Sequence, residues 1–306
     1  MVKVIICDKL NEKAVEMLEK EGFEIKIAWD LPKEELPRII ENYEAMVVRS
    51  ATKVRGELLE KATNMKLIVR AGVGLDNVDL EGAKEKGIKV VNTPNATTNS
   101  VAELALTMIL AATRNVVKGT IKVKKDPSSF KKFKKELMSV EIAGKTLGII
   151  GTGRIGTALA EKAKALGMKV IGYDAYLKEN PIIELKETME EVLRNSDYIS
   201  LHLPLTVETK HLISDKEFEI MKESVVLINC ARGGVVDEEA AYNALETGKL
   251  AIYATDVFEK EPPDADNPLL KHENVIITPH IGAQTKEGNY RASVQAAEKI
   301  IEEFKK

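Results

Sequence analysis

Residues 145–156 read KTLGIIGTGRIG: a short apolar strand, a glycine-rich turn and the start of a helix. Gly151, Gly153 and Gly156 stand at G-x-G-x-x-G spacing, which permits a tight turn, close approach of backbone to a pyrophosphate, and close packing of helix on strand. A helix beginning near Arg154 points its unpaired N–H groups and positive dipole end at that phosphate. A second apolar strand, 169–173, leads to Asp174. It lies about 20 residues beyond the glycines, where an acid accepts from a ribose 2′-hydroxyl. The unit begins near the middle of the chain, so a comparable length of sequence precedes the dinucleotide site and must serve another purpose.

With 306 residues, 44% of them hydrophobic, the chain is long enough for two cores. A formal net charge of −3 argues against nucleic acid or a membrane surface as partner. Two cysteines, Cys7 and Cys230, are too few for a disulfide framework and suit a reducing cytoplasm. The N-terminal VKVIIC is strand length and not a signal segment. The longest apolar stretch, 104–112, is interrupted by Thr107 and is too short to span a bilayer. The lysine-rich run 118–135, nearest thing to a linker, reads as a solvated surface segment.

Before the glycine turn, strand-like runs at 2–7, 23–28, 45–48, 66–69 and 89–91 alternate with amphipathic helices, a βα pattern with a parallel sheet. A long helix starts at Asn99 or Ser100 as cap, with Glu103 in its first turn. Its middle, LALTMILAA, is apolar nearly all round, which predicts burial on several sides, between domains or between subunits. A second βα series follows at 146–150, 168–173, 198–201, 225–229, 251–254 and 275–277. The expected fold class is α/β, two successive open parallel sheets. A last helix over 285–304 carries apolar Ala292, Val294, Ala297, Ile300 and Ile301, and its pattern leaves open which domain it joins.

Open parallel sheets bind ligands beyond the carboxyl ends of their strands. The last four strands of the second series end on His202, on Cys230-Ala231-Arg232-Gly233-Gly234, on Asp256 with Glu261 close behind, and on Pro279-His280-Ile281-Gly282-Ala283. Hydride transfer from an alcohol needs a base for the hydroxyl proton, and histidine titrates nearest the working pH. A carboxylate beside the ring holds it and favours the imidazolium. An arginine grips a substrate carboxylate and polarises the reacting carbonyl. Of four histidines, His202, His211, His272 and His280, the last has the best setting. Cys230 reads as structural and not as a nucleophile, and no metal site is read from the chain. Arg49 in RSATK (49–53) and Arg70 in RAGVGLD (70–76) stand at strand ends of the first half, as surface charges or as one anion site.

With these segments in place, the chain resembles the D-isomer-specific 2-hydroxyacid dehydrogenases. RSATK, RAGVGLDNVD (70–79), NTPNATTNSVAELA (92–105), GKTLGIIGTGRIG (144–156), NCARGGVVDE (229–238), DVFEKEPP (256–263) and PHIGAQTKE (279–287) run in family order over nearly the whole chain. The resemblance implies a Rossmann-type NAD-binding domain, 99–283, inserted into a flavodoxin-like substrate-binding domain made of 1–98 and 284–306. It implies Arg232, Glu261 and His280 as catalytic, His280 as base with Glu261 as its partner. Cofactor contacts would fall on Arg154, Ile155, Asp174, Cys230, Ala231, Asp256, Gly282 and Ala283, beside the glycines of the turn. Arg49 and Arg70, with the Val73-Gly74 backbone, would hold a small anionic substrate.

Within the family the match is nearest the branch that oxidises D-3-phosphoglycerate with NAD at the start of serine biosynthesis. The sequence ends at Lys306, whereas longer members continue into serine-binding regulatory domains, so feedback inhibition through such a domain is not expected. A homodimer through the cofactor domains is implied too; which lysine of 118–135, if any, reaches a partner's substrate stays open. Asp174 predicts NAD over NADP, because a 2′-phosphate would meet a carboxylate. The alternatives are a glyoxylate or hydroxypyruvate reductase, another D-2-hydroxyacid dehydrogenase, and a non-enzymatic NAD(H)-sensing protein.

Overall fold

Short apolar runs separated by helix-length segments cannot close as hairpins, so neighbouring strands pair in parallel and their crossovers carry helices. In this computed structural model, which describes residues 1–305, the chain divides into two compact units: Met1–Thr98 with the segment from Ala283 onward, and Asn99–Gly282.

The first unit holds β1 (Lys3–Ile6), β2 (Glu24–Ile27), β3 (Ala45–Val48), β4 (Leu67–Arg70) and β5 (Lys89–Asn92), in the order β2-β1-β3-β4-β5 and wholly parallel. That is the flavodoxin order. Alternating side chains enter two cores, Val4, Ile6 and Val47 on one face and Ile5, Met46 and Val48 on the other. The last helix, Lys286–Phe304, belongs to this unit. Its Ala292, Ala296, Ala297 and Ile300 pack in the first of these cores, and Ser293 Oγ accepts from the Asn11 N–H at 2.9 Å. Val294, expected on the apolar face, is only half-buried.

The second unit holds β6 (Thr146–Ile150), β7 (Lys169–Tyr173), β8 (Glu184–Leu185), β9 (Tyr198–Leu201), β10 (Val225–Asn229), β11 (Leu250–Thr255) and β12 (Val275–Ile277). Their order is β12-β11-β10-β9-β6-β7-β8, again all parallel. Counted from β6 this is the dinucleotide-binding order with one strand added beyond the sixth. The order in which strands are added across the sheet reverses between β6 and β9, and the glycine turn leaves from β6, at that switch point. All five side chains of β10 are buried, as expected for a central strand covered on both faces. The two-residue β8, preceded by Ile182 and Ile183, was not expected from sequence.

Two sequence expectations change. The long helix spans Thr98–Thr113, so Asn99 and Ser100 lie inside it and do not cap it. Asn99 instead donates to Glu103 one turn on and accepts from Lys162, both side chain to side chain. Within the chain this helix is buried on one face, through Val101, Ala102, Ala105, Met108, Ile109 and Ala112, while Glu103, Thr107 and Leu110 are exposed. The lysine-rich run is a solvated surface segment as expected, folded as two helices, Val116–Lys125 and Phe130–Glu136, neither with a buried residue. No single helix among the described residues is long and apolar enough to cross a membrane.

Candidate active site

The turn after β6 is built as its glycines require. Gly151 has φ 90°, and a Cβ there would lie 2.5 Å from the His202 carbonyl oxygen; one on Gly156 would lie 2.4 Å from the Gly151 oxygen. Around Gly153 the space is open, with nothing within 4 Å of such a Cβ. Gly153 caps the helix Arg154–Ala165 with no side-chain hydrogen bond, leaving the first-turn N–H groups, Arg154 and Ile155 among them, for a ligand. An open glycine in front of an uncapped helix N-terminus fits a pyrophosphate.

Asp174, just past β7, is fixed by this turn. Its Oδ2 accepts from the Thr152 N–H at 2.8 Å, and its Oδ1 from the N–H groups of Tyr176 and Leu177 at 3.0 and 3.1 Å. Burial pushes the carboxyl pKa up, but the N–H groups of Leu177, Tyr176 and Thr152 outweigh it and hold it below the usual range. The Thr152 carbonyl is held from the other side by Asn180 and Thr157.

At the end of β10, Asn229 shapes the next turn: its Oδ1 accepts from the Ala231 N–H and its Nδ2 donates to the Arg232 carbonyl. Cys230 and Ala231 are buried, and burial pushes the Cys230 thiol up, so it stays protonated. Gly233 lets this turn press on the loop after β11, since a Cβ there would sit 1.8 Å from the Phe258 oxygen.

Asp256 is buried, and its carboxylate organises the loop after β12. Its Oδ1 accepts from the Thr278 hydroxyl at 2.6 Å and the Ile281 N–H at 2.8 Å, its Oδ2 from the Gly282 N–H at 2.7 Å, and its carbonyl from the His280 N–H at 2.9 Å. These bonds hold His280 at φ 52°, a left-handed conformation uncommon outside glycine.

So held, the His280 ring puts Nδ1 2.7 Å from Glu261 Oε2, while Glu261 Oε1 accepts from the Phe258 N–H at 3.2 Å. The hydrogen bond to Glu261 raises the His280 pKa, burial lowers it, the charges of Glu261 and Asp256 raise it and Arg232 opposes; the net direction is up. Burial raises the Glu261 pKa, but the bond to His280, its charge, the Phe258 N–H and Arg232 bring it below the usual value. The Arg232 charge thus acts on both partners. The His280 side chain remains 47% exposed. The seven-stranded unit therefore gathers an imidazole, a carboxylate and a guanidinium, those of His280, Glu261 and Arg232, beyond the ends of neighbouring strands β12, β11 and β10, next to the glycine turn's own strand end by way of β9.

Residues 106–282 match the family described as D-isomer specific 2-hydroxyacid dehydrogenase, NAD binding domain. The chain belongs to this family. Its seven-stranded unit is an NAD-binding domain. The chain is 47% identical over 304 residues to a D-3-phosphoglycerate dehydrogenase of Methanocaldococcus jannaschii, covering 98% of this chain but 57% of that protein. It thus spans little more than half the length of that relative. A hydroxypyruvate reductase of Thermotoga maritima is 44% identical, with 99% of this chain and 98% of the relative covered. Among solved structures, NAD+-bound 3-phosphoglycerate dehydrogenase of Entamoeba histolytica superposes with a TM-score of 0.84 at 32% identity, covering 99% of this chain and 95% of that one.

The remaining family positions lie in the five-stranded unit. Arg49 directly follows β3 and Arg70 ends β4. The Arg70 guanidinium lies across Gly72, where a Cβ would be 1.4 Å from its Nη1, and the Val73 carbonyl accepts from Asn92 at 2.6 Å. Sequence reasoning missed the residues that hold these turns in shape: Asp8, Asn77, Thr152, Asn180 and Asn229. Each is a short polar residue at or just beyond a strand end or in a turn, and that placement is the signal that would have found them.

Proposed function

We propose that the chain oxidises D-3-phosphoglycerate to 3-phosphohydroxypyruvate with NAD, the first step of serine biosynthesis. The 2.7 Å pair of His280 and Glu261 beside Arg232 carries this reading. With Glu261 accepting at Nδ1–H, the ring presents Nε2, which takes the proton of the substrate hydroxyl. NAD, when bound, accepts the hydride from the same carbon. Arg232 pairs with the substrate carboxylate and stabilises charge on the forming carbonyl oxygen. As the proton arrives, the Glu261 carboxylate stabilises the imidazolium.

The glycine turn with Arg154 and Ile155 supports the pyrophosphate, Asp174 the ribose, and Cys230, Ala231, Asp256, Gly282 and Ala283 line the rest of the cofactor. The substrate-binding domain comprises 1–98 and 284–306 and the NAD-binding domain 99–283. Arg49, Arg70 and the Val73-Gly74 backbone take the phosphate end, since a substrate with a phosphate as well as a carboxylate needs cations beyond Arg232. The Thermotoga maritima relative, matched over nearly its full length, favours a second reading, a reductase of hydroxypyruvate on the same residues.

A homodimer fits the apolar side chains exposed along 116–140, Val116, Ile121, Phe130, Met138 and Val140. Two free buried cysteines fit the cytoplasm. NADH formation from D-3-phosphoglycerate, compared with a panel of unphosphorylated 2-hydroxy acids, tests the substrate. Efficiency at least tenfold higher for a small unphosphorylated acid would replace the first reading with the second. His280→Ala is expected to lower turnover by about 10²–10⁴-fold, the loss typical of an acid–base group.

A further inference from the structure

Asp8 lies just beyond β1, 5% exposed, where four donors converge on its carboxylate. Its Oδ2 accepts from the backbone N–H groups of Arg49 at 2.7 Å and Thr52 at 3.1 Å. Its Oδ1 accepts from the Thr52 hydroxyl at 2.7 Å and from Lys33 Nζ at 2.9 Å. The opposite side of the same turn is held by Asn77, whose Nδ2 donates to the carbonyls of Arg49 at 2.8 Å and Thr52 at 2.6 Å. Two side chains, 41 and 28 residues from Arg49, thus fix both backbone polar groups of Arg49 and of Thr52.

Burying a carboxylate costs several kcal/mol before its partners repay it, and an apolar residue could close the end of a buried strand without that cost. The bonds converge on the two ends of one short turn, so they set the direction in which the Arg49 side chain leaves the sheet. The guanidinium itself makes no hydrogen bond among the described residues, so backbone position is what orients it. Burial of Arg49 disfavours its charge, and Asp8 is the group that opposes this.

We propose that Asp8 and Asn77 are positioning residues that clamp the 49–52 turn so that Arg49 is held for the anionic end of the substrate. This rests on the reading that Arg49 binds that end. In functional terms the clamp contributes to substrate affinity and leaves the hydride step untouched. Its members should therefore separate KM from kcat.

The test compares Asp8→Asn, Asn77→Ala, Arg49→Gln and the double variant Asn77→Ala with Arg49→Gln in steady-state assays with D-3-phosphoglycerate, alongside thermal melts. For Asn77→Ala, KM for phosphoglycerate is expected to rise about tenfold, with kcat within about twofold and KM for NAD unchanged. In the Arg49→Gln background the same change should add no further rise, because the two act through one contact. Asp8→Asn should follow the same pattern; if it does not fold, the Asn77 series decides alone. A lowered Tm with unchanged KM, or an equal KM rise in both backgrounds, overturns the clamp. If Arg49→Gln itself leaves KM unchanged, the binding role of Arg49 fails and the clamp with it. If Arg49→Gln raises KM while Asn77→Ala does not, only the clamp fails.

Discussion

Nδ1 of His280 and Oε2 of Glu261 lie 2.7 Å apart, and each residue moves the other's titration toward the charged form. The ordinary values are 6.5 for the imidazole and 4.5 for the carboxyl; the first is raised and the second lowered. The stability from the raised histidine is fully present below pH 6.5 and is lost as pH rises through its folded value. That from the lowered glutamate is present above pH 4.5 and is lost as pH falls through its folded value. Both contributions overlap between pH 4.5 and 6.5, the window in which the pair adds most to stability.

A base must be neutral to take a proton, so oxidation is expected to rise with pH through the raised histidine value. Glu261→Gln removes the main cause of the rise, and the acid limb of kcat/KM should move to lower pH while the maximum rate falls. A pH–rate profile of both proteins measures this. An unmoved limb would mean that the limb reports another group.

Asp174 accepts two backbone N–H groups from the loop that begins with it and a third from Thr152 in the glycine turn, so its charge is fixed in place and cannot swing aside for a 2′-phosphate. Asp174→Ser should lower the NAD-to-NADP ratio of kcat/KM by about tenfold or more, by removing a repulsion. The variant also leaves the N–H groups of Tyr176 and Leu177 without their acceptor, so KM for NAD should rise too. Initial rates with both cofactors test the point; an unchanged ratio would shift selectivity to another residue.

At Gly156 an added methyl meets the Gly151 carbonyl at 2.4 Å, and that neighbour is backbone with little room to give. Gly156→Ala should therefore destabilise the NAD-binding unit by about 1–3 kcal/mol, the usual cost of overpacking. It should also widen the turn and weaken NAD binding. Denaturant melts with and without NAD would show a lower midpoint and a smaller stabilisation by cofactor.

Ile121 and Phe130 are each 60% exposed on the two lysine-bearing helices. Ile121→Glu with Phe130→Glu should halve the mass in sedimentation equilibrium if these helices form the dimer contact. A dimer mass unchanged by the substitutions would locate the contact of the proposed homodimer elsewhere, and a monomer mass before substitution would overturn the homodimer itself.

Sequence alone determined the glycine turn, the alternation of strands and helices, and the side chains set at each strand end. These features are local: a strand needs a few adjacent apolar residues, and the turn needs glycine at three fixed spacings. Sequence placed Glu261 and His280 on separate strand ends, and proximity of those ends required the β10-β11-β12 order of the sheet. The apolar stripe of the last helix was legible, but the stripe did not give its destination, which only the family resemblance implied. That was decided by Ser293 meeting Asn11, 282 residues away, and by Ala292 and Ala296 entering the first unit's core. The buried face of Thr98–Thr113 was likewise chosen by the sheet it covers, since its own sequence is apolar nearly all round. Asp8 gave no sign in the sequence of its tie to Arg49. A carboxylate declares its partners only when the chain between them has folded, because hydrogen bonds are fixed by distance in space and not along the chain.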